Sequence, residues 1–98
     1  MTEKEAKEGL RDCRSRIDVV DRRIVALLNE RARIVEEIGT IKGQMRMAIY
    51  EPKREDEVFG NVKAANPGPL AAEAVKRVFE RIIDEMRVVQ KLKMEKGY

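Results

Sequence analysis

The strongest constraint on this chain is an apolar seam that begins at Leu10 and does not end until Met45. Steps of three and four residues from Leu10 land on Cys13, Ile17, Val20, Ile24, Leu27, Arg31, Ile34, Ile38, Ile41 and Met45, a sustained heptad pattern with one charged member. No proline interrupts the run, and its glycines, Gly9, Gly39 and Gly43, lie near its ends. The pattern predicts a single helix from about Lys4 to about Gly43, about 60 Å long at about 1.5 Å per residue. A compact chain of this length has a radius of gyration of about 13 Å, so such a helix projects beyond it and needs cover. A second copy of the same chain is the simplest cover, because most soluble oligomers are homomeric and two-fold symmetric.

The rest of the chain reads as two further helices. Met45–Tyr50 is expected to be a loop, and Glu51-Pro52 to open a helix, with proline in the first turn and an acidic residue at the N-terminus. That helix is expected to reach Ala65 and to bury Val58, Phe59 and Val62. Asn66-Pro67-Gly68-Pro69 is a turn cluster that stops it. A third helix is expected from about Leu70 to about Lys93, with the stripe Val75, Val78, Phe79, Ile82, Ile83, Met86 and Val89. Charged residues at 40% and aromatics at 4% suit helices better than sheets. The expectation is one all-α domain over residues 1–98, long–short–long, in an intertwined helical homodimer.

Several classes of function are disfavoured. There is no histidine and only one cysteine, Cys13, so neither a metal site nor a disulfide-stapled fold is expected. The net charge of +3 is spread among alternating acids and bases, which argues against nucleic acid as a partner. No apolar run is long enough for a membrane span, and Met1–Gly9 is too acidic for a signal peptide, leaving the cytoplasm as the default. The chemistry that remains belongs to Arg, Lys, Glu, Asp and amides. Such groups grip and polarise anions better than they attack as nucleophiles.

Some polar residues sit where apolar ones are expected. Arg31 occupies a seam position, which is costly unless an anion or carboxylate meets it; a register-setting polar residue or a buried ion pair explains it equally well. Lys42, eleven residues on, faces the same side of an ideal helix to within about 20°. Arg14, seventeen residues before Arg31, is turned away by about 100°, so it would more easily serve the site of a partner chain. Gln90 continues the line of Phe79, Ile83 and Met86; a structural amide is the blander reading, but it could donate to a neutral oxygen without adding charge. Arg54 and Glu55 sit in the first turns of the second helix, where surface ion pairing accounts for most such residues.

In order and spacing, Arg14, Arg31, Lys42, Arg54-Glu55 and Gln90 on this helical outline resemble the all-helical chorismate mutases. The similarity covers about residues 8 to 92. It runs through Leu10–Asp18, the Leu27-Leu28-Asn29-Glu30-Arg31 segment, Gly39-Thr40-Ile41-Lys42, Glu51-Pro52-Lys53-Arg54-Glu55 and Val78-Phe79 to Gln90. The resemblance implies a cofactor-free rearrangement of chorismate, a small dianion, to prephenate in aromatic amino-acid biosynthesis. It implies that Arg31, with Arg14 of the other chain, clamps the carboxylates. Lys42 and Gln90 would bond the ether oxygen, Glu55 and the backbone at Glu51 would hold the ring hydroxyl, and Arg54 would support the ring carboxylate. Met86 departs from the small polar residue the family often has; it cannot donate a hydrogen bond, so that contact is either lost or supplied by water or Arg87, with a modest effect on affinity. Two alternatives share parts of this pattern. An isochorismate-pyruvate lyase would use similar cations and glutamine, and a non-catalytic helical dimer would use the seam alone.

Overall fold

The computed structural model describes residues 1–96. They form α1 (Glu3–Met45), α2 (Pro52–Ala65) and α3 (Ala72–Glu95), in the expected long–short–long order. The chain divides within α1 into two units, Met1–Arg33 and Ile34–Tyr98.

The first unit is helical from its capped start. The hydroxyl of Thr2 accepts the backbone N–H of Glu5 at 3.1 Å and donates to the Glu5 carboxylate at 3.0 Å, a reciprocal cap that starts the helix just before Lys4. Pairs one turn apart, Lys7 with Glu3 and Arg16 with Asp12, decorate the surface. None of the described residues of this unit is buried. Leu10, Ile17, Val20, Ile24 and Leu27, the first half of the apolar seam, are all exposed, with Leu27 at 62%. A unit with no interior of its own gains almost nothing from burying apolar surface, so its helix depends on whatever covers that stripe.

The second unit holds the core. From α1 it takes Val35, Gly39 and Lys42, and from α3 it takes Ile83 and Met86. The seam members in the same turns of α1, Ile34, Ile38, Ile41 and Met45, remain exposed. The chain's own core therefore uses the neighbouring face of α1 and leaves the seam uncovered. Helix α2 packs on α3. Its Val58, Phe59 and Val62 are half-buried rather than buried, which corrects the expectation for this short helix. In α3, Val75, Phe79, Ile82 and Val89 are half-buried, but Val78 is 54% exposed and does not belong to the inner stripe.

Gly39 shows why α1 and α3 approach closely. A methyl group there would lie 3.2 Å from Cβ of Lys93 and 3.3 Å from the backbone oxygen of Gln90. These are atoms of the α3 spine, so the helix itself would have to move. We expect Gly39→Val to destabilise the protein by about 2 kcal/mol, the cost of overpacking outweighing any gain in helix propensity. Urea denaturation measures this, and an unchanged midpoint would show that the two helices have slack.

Both connections are built by local chemistry. Helix α1 ends where Arg46 adopts a left-handed φ of 54° and the N–H of Met47 bonds the carbonyl of Lys42 at 2.8 Å, a Schellman-type stop. The side chain of Asn66 accepts the N–H of Gly68 at 3.1 Å and donates to the Leu70 carbonyl at 2.7 Å. Because Leu70 is held in that turn, α3 begins at Ala72 rather than at Leu70. Lys63 reaches across the turn to Glu73 at 2.9 Å, and this ammonium holds the Glu73 carboxyl below its ordinary value.

Candidate functional site

Lys42 is the one buried charged side chain among the described residues, at 6% exposure. A lone ammonium so placed would be expensive, and two acceptors from the α1–α2 loop meet it. Its Nζ donates to the carbonyl of Ile49 at 3.0 Å and pairs with Oε1 of Glu51 at 3.1 Å. With the Met47 bond to its own carbonyl, Lys42 ties the loop down at three points. Glu51 is the N-cap position of α2, and its side chain, making no cap hydrogen bond, turns to Lys42 instead.

One residue back along the loop, the ring of Tyr50 lies 5.4 Å from the guanidinium carbon of Arg87. Arg87 makes a two-pronged bond to Glu55: its Nε donates to one carboxylate oxygen at 3.0 Å and an Nη donates to the other. A further N–H of Arg87 reaches Asp84 at 2.8 Å. The bond to Glu55, with support from Asp84, raises the Arg87 pKa above its ordinary value despite some desolvation. Fork-on-carboxylate geometry is directional, so the pair fixes the angle at which α2 meets α3.

Gln90 lies three residues beyond Arg87, and its backbone oxygen faces Gly39 of α1, one turn before Lys42. Its side-chain oxygen is buried and has no hydrogen-bond partner among the described residues. Such an atom normally requires an explanation, and in a site built for a ligand it marks a polar group held ready. Met86 is 7% exposed, an apolar wall at the position where the resemblance leads one to expect a small polar residue. Arg87, the neighbour expected to supply that lost contact, is engaged by Glu55 and Asp84.

The second unit thus brings Lys42 to Glu51, Glu55 to Arg87, and Gln90 to the same α1 face as Lys42. Arg54 is placed differently: it is exposed and pairs with Glu57 at 3.4 Å. Arg14 and Arg31 belong to the first unit, where Arg14 is exposed and Arg31 half-buried. Arg14 lies along a shallow surface groove with Leu10, Ser15 and Asp18. Sequence reasoning missed the engagement of Arg87 with Glu55 and of Tyr50 with Arg87, which join residues 32 and 37 positions apart respectively.

The sequence profile of the chorismate mutase type II family matches residues 13–91. The chain is 40% identical over 78 residues to a bifunctional chorismate mutase/prephenate dehydratase of Neisseria gonorrhoeae, covering 80% of this chain and 21% of that protein. It is 26% identical over 89 residues to a chorismate mutase of Methanocaldococcus jannaschii, covering 90% of each. A solved chorismate mutase (Form II) from Thermus thermophilus superposes with a TM-score of 0.82 at 34% identity, over 85% of this chain and 94% of that one. The chain spans about a fifth of the length of the bifunctional relatives it matches.

Proposed function

This chain belongs to the chorismate mutase type II family, and on that premise we propose that it rearranges chorismate to prephenate. The reaction is an isomerisation: an ether C–O bond breaks, a C–C bond forms, and no proton changes hands. Catalysis then consists of holding a dianion in its reactive shape and stabilising the charge that grows on the ether oxygen. The observation that carries the reading is the buried ammonium of Lys42 on the α1 face against which Gln90 of α3 lies.

In this reading Lys42 and the Gln90 amide donate to the ether oxygen, an arrangement that favours the transition state over the ground state. Glu55 accepts from the ring hydroxyl, and the backbone at Glu51 assists it. Arg31, together with Arg14 of a second copy, grips the carboxylates by two-pronged bonds, and Arg54 lends positive charge near the ring carboxylate. Met86 contributes shape rather than a hydrogen bond. The partner is a second copy of the chain, sharing active sites. The exposed seam from Leu10 to Met45 and the coreless first unit support that assembly, since apolar stripes of this length are buried in stable proteins. Among the described residues no helix is long and apolar enough to cross a membrane, and the cytoplasm is our reading of location.

The test is direct. Purified protein mixed with chorismate is expected to consume it and form prephenate, with no salicylate released from isochorismate. Salicylate without prephenate would move the chain to the lyase reaction; neither product would leave a helical interaction module.

A further inference from the structure

We propose that Arg87 is a positioning residue for Glu55, cancelling its charge and fixing both its oxygens so that a carboxylate can serve beside a dianionic substrate. The inference rests on the activity proposed above and concerns a residue that reading did not use. A site for a dianion gains from cations and loses from every carboxylate it contains. Glu55 is 19% exposed and so is poorly screened by water, and its charge would repel the ligand it is meant to hold. Arg87 meets it with two N–H bonds, one to each oxygen, leaving the outer lone pairs to accept a hydroxyl.

Arg87 is itself held from three sides. Asp84 takes a third N–H one turn back on α3, Glu55 comes from α2, and Tyr50 covers the guanidinium from the loop that Lys42 anchors. The charged groups facing it from these elements are Glu55 and Asp84, so the cluster of three carries one net negative charge in place of two. The role differs from that of Arg31 or Arg14: Arg87 acts through the carboxylate and touches no substrate atom.

A double-mutant cycle with chorismate as the probe separates the possibilities. Arg87→Met is expected to raise KM about tenfold with kcat changed by less than about threefold, because charge repulsion opposes binding of substrate and transition state alike. In a Glu55→Gln background, where no charge needs cancelling, Arg87→Met is expected to change KM by less than about twofold. A KM for R87M within about twofold of wild type, with only the melting temperature lowered, would make Arg87 a mere strut between helices and overturn the proposal. An equal tenfold rise in the E55Q background would overturn it too, by showing that Arg87 meets the substrate directly. Should R87M fail to fold by circular dichroism, Arg87→Lys decides: KM within about threefold of wild type supports charge cancellation, and a tenfold rise refutes it. Wild-type protein that forms no prephenate overturns the activity itself, an outcome none of the variant comparisons can mimic.

Discussion

Lys42→Met should abolish most turnover and leave the fold standing. The variant removes the buried charge and keeps the length of the side chain. Its loss should lower kcat/KM for chorismate by about 10³-fold, the scale on which single preorganised donors to a developing oxyanion act. The structural cost is expected to be small. Glu51, 45% exposed in its side chain, can return to water, and only the bond to the Ile49 carbonyl is forfeited. Replacing a buried ion pair by a well-packed apolar side chain is often close to neutral, and one lost hydrogen bond costs about 1 kcal/mol. Steady-state kinetics beside thermal melting makes the comparison. A fall of less than tenfold with the melting temperature preserved would remove Lys42 from the chemistry.

Gln90→Glu is expected to turn a pH-indifferent amide into an acid-dependent switch. At pH 8 the new carboxylate is ionised, can only accept hydrogen bonds, and in the proposed reaction would face an oxygen that is gaining negative charge. We expect kcat/KM to fall there by about 10²-fold or more. As the pH falls through the pKa of the introduced carboxyl, the protonated form recovers a donor, so activity should rise toward acid. The direction follows from the active species being the protonated one. The amide of wild-type Gln90 does not titrate in this range and contributes no such slope. A profile for Q90E that runs parallel to wild type from about pH 5 to pH 8 would show that position 90 gives no proton-bearing contact to the reacting oxygen.

How much of this could be read in advance depended on whether the signal was local. The seam of α1 and the stop at Asn66–Pro69 are written in neighbouring residues, so helix order was legible from periodicity and turn chemistry alone. The start of α3 was misplaced because the Asn66 side chain holds Leu70 in the turn, a bond that helix propensity does not foresee. The inner face of α1 was harder. Its members include Gly39, chosen for closeness, and Lys42, placed for charge, and neither registers as apolar. The exposed face has the stronger hydrophobic pattern, so the eye goes to the seam. Arg87 was invisible for another reason: its partner Glu55 lies 32 residues away, and no spacing rule joins residues on different helices.

The three ties between Lys42 and the loop have a bearing on how the ammonium meets a ligand. With the Ile49 carbonyl and Glu51 already in contact with the ammonium, two of its three N–H donors are engaged, and in the proposed site the third is what remains for the substrate's ether oxygen. The loop then acts as a rein, aiming the last N–H before anything arrives, so the direction of that bond is set by the resting protein and not by the ligand.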